Sequence, residues 1–117
     1  MYEKDKRYYT RYKIRLEGKV ATEKGQVFPV EILDLSIEGA RLKTDRDIPL
    51  YEGEIINLLI KWKSSIKCKA EIRWIKTERF NTEFGVKFIE MSMKDRETLT
   101  SLISEHALTN LLDTYLR

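Results

Sequence analysis

Residues 66–75 read IKCKAEIRWI, in which Ile66, Cys68, Ala70 and Ile72 alternate with Lys67, Lys69 and Arg73. A period of two puts successive side chains on opposite faces of a strand. Apolar residues on one face and basic ones on the other describe a sheet with one dry and one wet side. Trp74 falls in phase with the apolar set and reads as ordinary packing.

The same period recurs on either side. Tyr12, Ile14 and Leu16 alternate with Arg11, Lys13 and Arg15. Glu23-Lys24-Gly25 reads as a hairpin turn, with Gly25 able to take positive φ. Residues 26–33 (QVFPVEIL) form a second strand, in which Pro29 points to an edge or a bulge. Residues 34–39 (DLSIEG) interrupt, and ARLKT at 40–44 is a short third strand. A loop, TDRDIPLYEGE, carries Pro49 and Gly53 as punctuation. Strands follow over 54–62 and 66–76, around a turn at 63–65, and over 84–89 (FGVKFI) after Asn81-Thr82. Six short strands with close turns and no βαβ alternation predict an all-β antiparallel barrel or sandwich.

The period changes at Ser92. Leu99, Leu102, Ile103, His106, Leu108, Leu111, Leu112 and Tyr115 fall near helical spacing, predicting a C-terminal helix over 93–116. Ser92 is placed to cap it, with Asp95 three residues on and Glu97 favourable to the helix dipole. Thr109-Asn110 is a weak point that leaves open a division into two helical segments. The apolar stripe runs on through Leu116, farther than packing on one barrel requires. It therefore suggests a second helix folding back or a homodimer through the helix.

At 117 residues, with 42% hydrophobic and 35% charged residues, the chain suits one domain with its own core. No apolar run is long enough to cross a membrane, and MYEKDKRYY has no apolar signal-peptide region. Cys68 is the only cysteine, so no internal disulfide forms. Together these point to the cytoplasm. A net charge of +3 is too mild for a general nucleic-acid binder. Its distribution is uneven. Residues 1–19 hold seven Lys and Arg against three acids, and the remainder holds fifteen against sixteen. The excess sits in the leader and first strand, which favours a local anionic partner.

Nothing speaks for catalysis. The one histidine, His106, lies on the apolar stripe of the helix, and Cys68 sits in a strand with no His or Lys motif beside it. No Cys/His/Asp cluster has metal spacing, and no nucleophile elbow or glycine-rich phosphate loop occurs.

Two stretches remain. RYYTR, residues 7–11, places Arg7 and Arg11 four apart ahead of the first strand. Read plainly, they are solvated charge. DLSIEG carries Asp34, Ser36 and Gly39 in a DxSxxG pattern; read plainly, it is an Asx or Ser turn ending a strand. Arg11 and Arg15 also satisfy RxxxR, but Arg15 falls inside the alternating strand.

RxxxR, then a strand hairpin, then DxSxxG, then a small barrel and a helix resembles the PilZ domain family over nearly the whole chain. FGVKFIEMSMKDRETLTSLI is similar to that family's last strand and helix start. PilZ domains are bacterial receptors for cyclic di-GMP. The resemblance implies a six-stranded antiparallel PilZ-type β-barrel with a C-terminal α-helix. It divides the chain into a flexible basic arm over 1–11, a barrel over 12–90 and the helix over 93–116, as one domain over 1–117. It also implies a cyclic di-GMP site made by Arg7, Arg11, Asp34, Ser36 and Gly39, with Lys6, Arg15 and Arg41 as lesser candidates. The ligand is the second messenger itself and no further cofactor is implied. With no output domain visible, the effect passes to an effector protein of unidentified nature.

The residue chemistry suits that ligand. Arginine forks match guanine O6/N7 or a phosphate and stack on bases. A carboxylate accepts from the opposite edge of guanine. The alternatives are a small barrel binding single-stranded nucleic acid, with Trp62, Trp74 and the tyrosines as stacking platforms, and a PilZ-like scaffold that binds only protein.

Overall fold

The alternation at 66–75 becomes the wall of a closed barrel. In the computed structural model, which describes the backbone of residues 12–116 and the side chains of 15–108, Ile66, Cys68, Ala70 and Ile72 point into the core while Lys67, Lys69 and Arg73 face water. The strands are β1 (Tyr12–Thr22), β2 (Val27–Leu35), β3 (Gly39–Thr44), β4 (Ile55–Ile60), β5 (Ile66–Thr77) and β6 (Thr82–Met91); α1 (Met93–Leu116) follows. All neighbours are antiparallel, in the cyclic order β1-β2-β3-β6-β5-β4. The ladder from Gly18–Ile60 to Thr22–Ile56 closes the circle. Closure leaves no full-length open edge.

The interior is filled by Val20, Phe28, Val30, Ile32, Leu35, Leu42, Ile56, Leu58, Ile60, Ile66, Ile72 and Phe84. Each fully buried side chain of this size contributes about 1.5–3 kcal/mol. The helix packs against β5 and β1 and adds Leu99, Leu102 and Ile103 to the same core. Ser92 caps it as expected: its Oγ accepts from Asp95 N at 3.1 Å and donates to Asp95 Oδ2 at 2.8 Å. The division at Thr109-Asn110 does not occur, and one helix runs through both residues. Thr and Asn lower helix propensity but remove no backbone donor, so the hydrogen-bond ladder continues.

Pro29 sits opposite Lys19 on β1, beyond the end of the β2–β3 ladder at Glu31–Lys43. Its carbonyl accepts from Thr44 Oγ1 at 3.1 Å. The N–H and C=O of one strand residue point the same way, so the missing donor costs no ladder bond. The turn at Gly25 takes φ 91, as its position requires.

One expectation fails. Trp74 is 38% exposed, on the outer wall. The β5–β6 register shifts between Ile72 and Trp74, so Arg73 and Trp74 are both exposed. A bulge adds one residue and reverses the inside–outside phase, which strict alternation does not anticipate. Trp62, by contrast, is half-buried and packs on the core.

Candidate functional site

Three ladders share one row across the outer wall. Asp34 on β2 opposes Arg41 on β3, Arg41 opposes Gly85 on β6, and Gly85 opposes Trp74 on β5. Neighbouring strands lie about 4.8 Å apart, so the backbones of Asp34 and Trp74 are separated by three spacings, about 14 Å.

Arg41 is the centre of charge in this row. Its Nε donates to Asp34 Oδ2 at 2.9 Å and its Nη1 to Glu83 Oε1 at 3.3 Å. All three side chains are partly buried, so the network is screened less than a fully exposed pair. Beside it the Nε1 edge of the Trp74 indole occupies the place where a side chain at residue 85 would stand. Glycine at 85 is therefore what lets the aromatic ring rest on the sheet. A strand glycine signals such close approach in sequence; Gly85 and Glu83 nevertheless carry no motif, and Trp74 enters the sequence reading of a site only as a stacking platform of the nucleic-acid alternative.

The DLSIEG loop is clamped from within. Ser36 is 3% exposed. Its Oγ accepts from Glu38 N and Gly39 N, each at 3.2 Å, and donates to Gly39 O at 3.4 Å. Ser36 N donates to Gly39 O at 2.9 Å, and Phe88 N to Glu38 O at 2.7 Å, tying the loop to β6. Gly39 does not adopt positive φ. Its lack of a side chain admits the Val86 carbonyl of β6 instead. Within this structure Ser36 and Gly39 shape the loop that follows Asp34.

Residues Lys6, Arg7 and Arg11 lie outside the described residues. The register does say where their segment joins the barrel: Tyr12 opposes Leu35 and Lys13 opposes Asp34. Arg15 is turned elsewhere. Its Nη1 meets Glu31 Oε2 at 2.9 Å, at the rim of a cleft of about 590 Å³ that also includes Lys43 and Lys61. The Arg15 side chain is 83% exposed, and an ion pair of that kind contributes little.

Among the described residues no group of three His, Cys, Asp or Glu is placed to hold a metal ion. No helix there is long and apolar enough to cross a membrane. Burial, with a smaller contribution from Asp95, pushes the Cys68 thiol up from 9.0 to about 12. A thiol held protonated is a poor nucleophile, in keeping with a core residue.

The row offers a carboxylate, a guanidinium and an aromatic face on one rigid wall. That set suits a ligand with planar heteroaromatic rings and donor edges, one ring near Asp34 and another near Trp74. Comparison with known proteins identifies the family and the fold. The PilZ domain pattern matches residues 5–105. The PilZ domain of YcgR from Escherichia coli, solved with c-di-GMP, superposes with a TM-score of 0.78 at 13% identity, covering 97% of this chain and 99% of that one. The inhibitor of motility MotI/DgrA of Bacillus subtilis gives 0.76 at 17% identity over 90% of this chain and 53% of its own. The MrkH–c-di-GMP complex of K. pneumonia gives 0.79 at 13% identity over 93% of this chain and 56% of its own. The chain thus spans about half the length of MotI/DgrA and MrkH, and at these identities the likeness is one of fold. No curated protein matches in sequence.

Proposed function

This chain belongs to the PilZ domain family, commonly receptors for cyclic di-GMP, and from that premise we propose that it binds cyclic di-GMP and signals through a protein partner. The observation that carries the reading is the register of β1 on β2. By setting Tyr12 and Lys13 against Leu35 and Asp34, it brings the root of the RYYTR segment to the DLSIEG loop. Cations from the arm and an acceptor on the wall then approach one ligand from two sides.

In this reading Arg7 and Arg11 offer planar forks to guanine O6/N7 and to phosphate, with Lys6 extending the basic segment. Asp34 accepts from the N1–H and N2–H edge of guanine. Ser36 and Gly39 hold the loop, and Trp74 offers a stacking face. The Trp74 ring stands over Gly85, two strands from Asp34 and so about 10 Å away, which suits a ligand with two bases on a compact ring. Arg41 flanks the site, whereas Arg15 is engaged by Glu31. Residues 1–11 order on binding and, with barrel and helix, act as one unit that works by binding rather than catalysis.

Protein contact is read from the helix. Leu108 is 56% exposed, and Leu111, Leu112, Tyr115 and Leu116 follow it in sequence. We assign this segment to a homodimer contact or to the effector. Sedimentation showing a monomer at tens of micromolar would remove the dimer.

Calorimetric titration tests the core of the proposal. Saturable binding of cyclic di-GMP is expected, lost in Arg11→Ala and Asp34→Ala, with cyclic di-AMP and a short oligonucleotide as controls. Tighter, salt-steep binding of the oligonucleotide would favour the single-stranded nucleic-acid reading. No binding of either would leave a protein-binding scaffold. Amide exchange in residues 1–11 that is equally slow with and without ligand would sink the ordering of the arm.

A further inference from the structure

We propose that Arg41 is the positioning residue for guanine selectivity: it fixes the plane of the Asp34 carboxylate so that it receives both donors of the guanine edge. The inference rests on the cyclic di-GMP reading above and goes beyond it, since it gives Arg41 a task that involves no contact with the ligand.

The geometry is that of a strut. Arg41 stands on β3 between two acids on its neighbouring strands, Asp34 on β2 and Glu83 on β6. Its guanidinium spans the two, Nε to Asp34 Oδ2 at 2.9 Å and Nη1 to Glu83 Oε1 at 3.3 Å. A planar group tied at both ends has a set orientation, and it passes that orientation to the carboxylate it binds. An ionised carboxylate has about four acceptor positions, and the bond from Nε takes one of them and sets its direction. The Asp34 side chain is 13% exposed and that of Arg41 35%, so water competes weakly at the joint.

Selectivity follows from alignment. Guanine presents N1–H and the exocyclic N2–H side by side, and a carboxylate receives both only when its plane matches the base. Hypoxanthine keeps N1–H and lacks the amine. A held carboxylate distinguishes the two bases; one free to rotate satisfies either with a single bond. Pre-orientation also removes an ordering cost on binding. The role of a phosphate ligand fits Arg41 less well, because reaching away would abandon two carboxylates in a partly buried setting.

The experiment compares cyclic di-GMP with cyclic di-IMP, its hypoxanthine analogue, by calorimetry on the full chain. Wild type should prefer the guanine ligand by about tenfold or more. In Arg41→Ala the preference should fall toward unity, with cyclic di-GMP losing affinity and cyclic di-IMP changing little. Arg41→Lys keeps the charge without the fork and should recover only part of the ratio. Glu83→Gln, which loosens the far end of the strut and guards against a misfolded Arg41→Ala, should lower the ratio by a smaller factor. An equal loss for both ligands, with the ratio unchanged, overturns the proposal and makes Arg41 a direct phosphate contact or a structural residue. A gain in affinity in Arg41→Ala also overturns it, since Arg41 would then be competing for Asp34. Wild type binding neither ligand defeats the receptor reading itself, an outcome distinct from both.

Discussion

The Trp74 indole occupies the space a side chain at Gly85 would fill: a Cβ there would stand 2.8 Å from Cδ1 and nearer still to Nε1 and Cε2. Gly85→Ala should therefore drive the ring off the sheet, at a cost of about 1–2 kcal/mol in lost packing. The urea midpoint should fall and the tryptophan near-ultraviolet signal should weaken. A variant with both unchanged would show that the ring does not rest there in solution. Trp74→Ala loses the same packing and should cost a similar amount of stability, and it should also weaken cyclic di-GMP binding by about 1–3 kcal/mol if a base stacks on the ring.

The clamp in the DLSIEG loop makes a different prediction. Ser36→Ala leaves the N–H groups of Glu38 and Gly39 without their Oγ acceptor, and a buried unsatisfied group costs about 1–3 kcal/mol. Gly39→Ala meets the Val86 carbonyl, and backbone on a neighbouring strand yields less readily than a side chain. Equilibrium unfolding should find both destabilised, with Gly39→Ala at least as severe. A wild-type midpoint for Ser36→Ala would mean that water replaces the hydroxyl at no cost.

At the helix start, Ser92 both receives the Asp95 N–H and donates to its carboxylate. Removing that cap with Ser92→Ala should cost about 1 kcal/mol, and Ser92→Thr should retain most of it. Thermal unfolding of the two variants side by side provides the check. Equal melting temperatures would argue that the tertiary contacts of Leu99, Leu102 and Ile103 alone set the helix start.

Cys68 gives the stability curve an alkaline limb. Its thiol is raised from 9.0 to about 12 by burial first and Asp95 second, so the folded state holds a proton that the unfolded chain releases above pH 9. Stability from this group is complete below pH 9 and declines as pH rises toward 12, with a slope of about 1.4 kcal/mol per unit. Cys68→Ala, which carries a pH-independent cavity cost, should lack this limb. The difference between wild type and variant should thus shrink from pH 9 to pH 11. A constant difference would show that the thiolate is tolerated in the fold.

Most of the architecture was legible because each strand carries its own alternation and the helix its own period. The ends moved by a few residues: the second strand expected over 26–33 spans Val27–Leu35, and the last, expected over 84–89, spans Thr82–Met91. Trp74 was misplaced because a bulge changes phase without changing composition. The Arg41–Glu83 contact joins residues 42 apart; it follows from which strands become neighbours, and no local pattern carries that information. Asp34, Ser36 and Gly39 were legible as a motif, but not that Ser36 and Gly39 bond mainly to one another. The segment with Arg7 and Arg11 is located only through the strand it leads into.

The strand order also bears on how the chain is made. β1-β2-β3 and β4-β5-β6 are two three-stranded meanders, each joined by ladders between consecutive strands. Two seams unite them, β1 with β4 and β3 with β6. During synthesis the first meander is complete by Thr44, yet both of its borders stay unpaired until the second half has emerged. The β3 border, where Arg41 stands, waits for Thr82–Met91, the last strand of all. A nascent chain therefore carries Arg41 on an open border, paired with Asp34 of the strand inside it, and the arginine gains its second carboxylate only with the final seam.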